Sequence, residues 1–130
     1  MVASSKTQGN DDGSTPIFDR KIFDDLRNEG EEFFGELVDM FLASVPAQLD
    51  GLTQALDRGD GVGGARLAHT LKGTAATFGA TVMQEQAAVI SEAFNSHSID
   101  KARGMLPQFR SECDGVRAAL QKERSRTAAV

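Results

Sequence analysis

Tryptophan and tyrosine are absent from this chain of 130 residues, which has one cysteine and three prolines. Without large stacking aromatics beyond its eight phenylalanines, and with a net charge of −5, it lacks both the base-stacking platform and the basic footprint of a nucleic-acid binder. The single Cys113 has no intramolecular disulfide partner and fits a reducing compartment. No apolar run approaches the roughly 18 residues of a membrane span, and no basic-then-apolar leader opens the chain. The expectation is a soluble, cytoplasmic protein with no membrane association. His69 and His97 have no acidic or cysteine companions at ligand spacing, so no metal site is expected. The glycine run at 60–64 has neither a following Lys-Ser/Thr nor a preceding strand pattern, and reads as a connector and not a phosphate loop. Nothing in the chain reads as an ATP site.

What is present is an apolar content of 40%, enough for one compact domain with its own core. Residues 1–16 are polar and rich in Ser, Gly, Asp and Thr, as in a flexible arm or linker. Residues 125–130 read as a flexible tail, which leaves 17–124 for the folded domain. Within it the apolar spacing predicts five helical segments. A short one runs from Phe18 to Arg27. A long one, Glu31 to Asp57, repeats Phe34, Leu37, Phe41, Val45, Leu49, Leu52 and Leu56 every three or four residues, with Pro46 expected to kink or interrupt it. The third spans 64–78, with Gly79 as its C-cap. The fourth runs from Thr81 to Ser96. The fifth, Ile99 to Arg124, carries the stripe Leu106, Phe109, Cys113, Val116, Leu120, which is a core stripe with Cys113 as a small core residue. No alternating strand pattern interrupts them. The expected fold is all-α: an antiparallel up-and-down four-helix bundle with a short additional N-terminal helix.

Charge is unevenly spread. Residues 1–60 hold thirteen acids and five bases, whereas 61–130 hold six acids and nine bases. The basic half contains the third helix and its histidine, which fits an acidic partner surface or, equally for any single charge, ordinary solvated helix faces.

That histidine, His69, has Lys72 and Gly73 three and four residues on, a spacing that shares one helix face. At about 100° per residue, Leu67, Leu71 and Phe78 project to the opposite side, so His69 is predicted to be exposed. Glycine inside a helix costs about 1 kcal/mol relative to alanine, so Gly73 calls for an offsetting gain. Steric access for another molecule is one such gain. Lys72 supplies a flexible positive charge suited to an anion on the imidazole. Exposed imidazole, ammonium and gap together describe a phosphorylatable histidine. His97, in Asn-Ser-His-Ser, reads as a loop residue.

The stretch Ala68-His69-Thr70-Leu71-Lys72-Gly73-Thr74-Ala75, continued by Phe78-Gly79-Ala80, resembles the active helix of histidine-containing phosphotransfer (HPt) domains, whose pattern is roughly A-H-x-L-K-G-[SAT]-[SA]-x-x-[LF]-G-[AL]. The likeness extends over about 18–122 and includes the approach Phe41-x-x-x-x-Pro46 and Glu92 on the following helix. It implies a cytoplasmic, monomeric carrier in a multistep two-component phosphorelay. His69 would take a phosphoryl group from a receiver-domain aspartate and pass it to another receiver, with response-regulator receiver domains and a hybrid histidine kinase as partners. Such a protein is a phosphocarrier and not an independent enzyme. It needs no cofactor of its own, because the receiver brings the aspartate, Mg²⁺ and a lysine.

In that reading the Nε2 of His69 is the nucleophile, Lys72 screens the phosphoryl charge and Gly73 gives clearance. The resemblance places Ser91 where some members have a glutamine bonded to the imidazole. Ala65, Ala68 and Ala76 flank the histidine as docking residues or, equally, as close helix-packing contacts. Two other readings compete. One is a receiver-binding scaffold that carries no phosphate. The other is a sensor-kinase dimerisation and phosphoacceptor domain, which usually has an acid after its histidine where this chain has Thr70.

Overall fold

The computed structural model describes residues 16–128. The arm expected over 1–16 lies outside them except for Pro16. The described residues form five helices and no strand: α1 (Arg20–Arg27), α2 (Glu31–Arg58), α3 (Gly61–Phe78), α4 (Thr81–Asn95) and α5 (Ile99–Ala128). None of these helices is long and apolar enough to cross a membrane. Helix α3 packs on α2 and α4, and α5 packs on α2 and α4, while α1 rests on α2 and α3.

Local chemistry sets the boundaries. Asp19 caps α1 through its carboxylate, which accepts the Ile22 N–H at 3.1 Å. Glu31 and Glu32 occupy the first turn of α2, where acids complement the helix dipole. Gly59 ends α2 with φ +65° and Gly79 ends α3 with φ +72°, both left-handed conformations that favour glycine. Gly79 has a second reason to be glycine. A Cβ there would stand 2.9 Å from the Ile22 Cβ, and the Asp19 N–H donates to its carbonyl at 2.8 Å. This contact seats α1 on the end of α3.

Two sequence expectations are corrected and a third is narrowed. Of the kink or interruption expected at Pro46, the interruption does not occur, and α2 continues through it to Arg58; one missing N–H is offset by the apolar face that Phe41, Val45, Leu49 and Leu52 bury. The glycine run is helix from Gly61 onward, because Asp60 caps it by accepting the Gly63 N–H at 2.9 Å. Gly64 is wholly buried, and a Cβ there would collide with the Phe94 ring of α4. Glycine at that point therefore sets the close approach of α3 and α4. The segment read as a tail from 125 is helical to Ala128. The end of α5 is tied back by Arg124 to Asp39, and by Glu123 to Arg27 of α1 and to Arg126 on its own helix.

The core runs the length of the helices. Phe18 and Phe23 stack at 4.4 Å, Phe23 meets Phe34 edge-on at 5.5 Å, and Phe78 of α3 meets both Phe34 and Phe41 of α2 edge-on. Such ring pairs contribute beyond their buried area. Cys113 is buried with Phe109, Val116 and Leu120. Burial, with the Glu112 charge adding to it, pushes its thiol up to about 12, so the cysteine packs as a small apolar residue.

Candidate functional site

Helix α3 turns one face inward and one to solvent. Leu71, Ala75 and Phe78 are buried, with Leu67 partly so, while His69, Thr70, Gly73 and Thr77 are exposed. The imidazole of His69 makes no hydrogen bond or ion pair among the described residues. Its two ring nitrogens are available to solvent or to another molecule. Lys72, one turn on, is half-buried and has no carboxylate within ion-pair distance among the described residues. Side chains on a helix lean toward its N-terminus, so Lys72 overlies the turn that carries His69.

Gly73 is exposed, and a Cβ built there would meet nothing within 4 Å. Inside this chain nothing demands glycine at position 73. Gly64 differs, since a Cβ there would overlap three atoms of the Phe94 ring. The gap beside His69 is open toward the exterior. The neighbouring threonines turn their hydroxyls inward along the helix: Thr70 donates to the Arg66 carbonyl, Thr74 to that of Thr70 and Thr77 to that of Gly73, each at 3.1 Å. Their hydroxyl protons are committed along the helix, so these threonines are not free donors.

Of the expected flanking residues, the structure brings some to the surface and not others. Ala76 is half-buried on the His69 face. Ala68 is fully buried and Ala65 is 8% exposed. The docking role considered for Ala68 is therefore corrected: a sequence neighbour on a helix points about 100° away, which takes Ala68 into the core. Its small size serves helix packing. Ser91 does lie beside α3, but its hydroxyl donates to the Ala65 carbonyl at 3.2 Å and makes no bond to the imidazole. Serine is too short to do what a glutamine would, and here it tethers α4 to the turn of α3 just before His69. Glu92 is exposed and accepts the Ser96 hydroxyl on its own helix. His97 ends α4 with φ +59°.

Two exposed residues on the histidine's face escaped the sequence reading. Val62 is 72% exposed and lies seven residues before His69, two turns along the same face. Arg66 is exposed, three residues before His69. The spacing carries the signal for both, but a glycine run at 60–64 has the composition of a connector, which hides the place of Val62 on a helix face.

Three grooves among the described residues lie away from His69. One of about 440 Å³ opens between α2 and α5 around Pro46, and none of the described grooves is lined by His69, Lys72 or Gly73. No cluster of three or more His, Cys, Asp or Glu side chains able to hold a metal ion occurs among the described residues.

Comparison with known proteins bears on the chain as a whole. Residues 36–119 match the family described as Hpt domain, and the chain belongs to that family. It is 26% identical over 107 residues to the phosphorelay intermediate protein rdeA of Dictyostelium discoideum, an alignment that covers 81% of this chain and 42% of that protein. The chain thus spans less than half the length of that curated relative. Its structure is similar to the crystal structure of histidine-containing phosphotransfer protein B (HptB) from Pseudomonas aeruginosa PAO1, with a TM-score of 0.82 and 26% identity, covering 87% of this chain and 98% of the other.

Proposed function

We infer that the protein is a histidine phosphocarrier of a multistep phosphorelay. The observation that carries this reading is the exposed, unbonded imidazole of His69, with Lys72 one turn on and the open gap at Gly73 beside it, in a chain of the Hpt domain family. A relative named as a phosphorelay intermediate and a similar structure named as a histidine-containing phosphotransfer protein support it. The four long helices form an antiparallel up-and-down bundle, a reading supported by two-residue or three-residue connections between helices that pack side by side. The protein acts as a cytoplasmic monomer.

In the reaction, the Nε2 lone pair of neutral His69 attacks the phosphorus of a receiver-domain aspartyl phosphate. The new N–P bond forms as the P–O bond to the aspartate breaks, the carboxylate leaves with the electron pair, and the ring keeps its proton on Nδ1. Lys72 neutralises charge on the phosphoryl oxygens, and Gly73 lets the partner's backbone approach. Phosphoryl transfer depends on positioning and charge neutralisation, so few residues suffice when the partner contributes the rest. The receiver brings the aspartate, Mg²⁺ and a lysine, and this chain needs no cofactor or ATP site. The reverse reaction with a second receiver completes the relay. Incubation with a panel of phosphorylated receiver domains tests the reading: acid-labile, base-stable label on the wild type and none on His69→Gln is expected. Binding without label on either protein would leave a scaffold in its place.

A further inference from the structure

Ion pairing in the described residues is nearly complete for arginine, and one of the two exceptions lies on the helix that carries His69. Arg20, Arg27, Arg103, Arg110, Arg117, Arg124 and Arg126 each lie within ion-pair distance of an aspartate or glutamate. Arg58 and Arg66 have no such partner among the described residues. The nearest acid in sequence to Arg66 on its own helix is the cap Asp60, whose carboxylate is engaged by the Gly63 N–H. Arg66 therefore holds an exposed, unneutralised guanidinium one turn before His69.

Its direction distinguishes it from Lys72. Helical side chains lean toward the N-terminus and cover the turn before their own Cα. Lys72 thus overlies His69, whereas Arg66 overlies Val62, whose side chain is 72% exposed. The two cations flank the imidazole at about 60° to either side of it around the helix, and only one leans over it. Lys72 is placed for the phosphoryl group. Arg66 is placed for whatever lies against the turn before it. An arginine beside an exposed aliphatic residue is the composition of a protein interface, and a guanidinium pairs best with a carboxylate, which it binds through two parallel N–H groups.

We propose that Arg66, with Val62 one turn before it, is a specificity-determining contact: it pairs with a surface carboxylate on the receiver domain, about one helical turn from the point of phosphoryl transfer. This deepens the carrier reading and rests on it. Arg66 selects and steers the partner but does not act on the transferring group. A receiver with a carboxylate at that point associates quickly and in register, whereas one with a lysine or arginine there is repelled.

Transfer kinetics test the assignment, with the receiver that labels the wild-type protein best as phosphodonor and a series of ionic strengths. For Arg66→Glu at low salt the expected result is a rise in KM of about tenfold with kcat within about twofold. Arg66→Lys should stay near wild type, and Arg66→Ala should flatten the dependence of kcat/KM on salt. Lys72→Ala should instead lower kcat. A KM for Arg66→Glu within twofold of wild type overturns the proposal, as does a loss confined to kcat. Thermal melting of each variant shows that it is folded. Phosphoramidate, a small phosphoryl donor that needs no docking, separates the two layers. If neither it nor any receiver labels His69 of the wild type, the carrier reading fails and this proposal with it. If the wild type is labelled and the KM of Arg66→Glu is unmoved, only the role of Arg66 fails.

Discussion

Replacing Gly73 by alanine should raise stability and lower function together. A glycine inside a helix costs about 0.5–1 kcal/mol relative to alanine. At position 73 a Cβ meets nothing within 4 Å, so no packing cost is set against that gain. For a domain of this size, each kcal/mol moves the melting temperature by several degrees, which gives an increase of about 3–6 °C. The same methyl projects into the gap beside His69 and obstructs a docking receiver, so phosphoryl transfer should fall. Two controls isolate the effect. Gly115→Ala in α5, also free of contacts within 4 Å, should gain similar stability without loss of transfer. Gly64→Ala drives a methyl into the Phe94 ring, and overpacking of about 1–3 kcal/mol should exceed the propensity gain and lower the melting temperature. Circular dichroism melting and receiver-to-protein transfer rates provide both readouts. The reasoning is refuted if Gly73→Ala melts below wild type, or if it melts higher and transfers at the wild-type rate.

His97 holds φ +59° at the end of α4, a conformation that costs an L-residue about 1 kcal/mol and glycine little. His97→Gly should therefore stabilise the fold by about 0.5–1 kcal/mol in urea titrations, and a loss of stability would show that the imidazole makes a contact of its own. Burial holds the Cys113 thiol at about 12 against 9.0 in the open chain. The unfolded chain then releases this proton first, so stability falls as pH rises from about 9 toward 12, by up to about 1.4 kcal/mol per unit. Urea midpoints of the wild type and Cys113→Ala at about pH 8 and pH 10.5 should diverge in that sense, and parallel midpoints would contradict it.

Much of this architecture is legible in the chain because periodicity and capping speak the same language. The apolar spacing of Phe34 to Leu56 locates α2, and Gly79 marks the end of α3 through its need for a left-handed φ. Exposure of His69 follows from the opposed positions of Leu71 and Phe78. The failures share a cause: a residue type was read for its backbone habit where tertiary contact decided. Gly61 and Gly64 break a helix by propensity, yet the Asp60 cap and the Phe94 ring retain them inside one. Pro46 removes one hydrogen bond from a helix held by its buried face. Residues after Arg124 look polar and frayed in sequence, but Asp39 and Arg27, some 85 and 96 residues away, hold that end of α5. Adjacency to His69 does not reveal that Ala68 points into the core, and a position on the following helix does not reveal that the Ser91 hydroxyl donates to the Ala65 carbonyl.

The relay itself is tested most directly by a chase. The protein would be phosphorylated by a receiver domain, separated from it, and mixed with a second, unphosphorylated receiver and Mg²⁺. The account predicts that label leaves His69 and appears on the second receiver as acid-stable, base-labile aspartyl phosphate, with His69→Gln carrying none at either stage. Label that never forms on the wild type, or that is lost from it only as inorganic phosphate whichever receiver is supplied, would contradict the account.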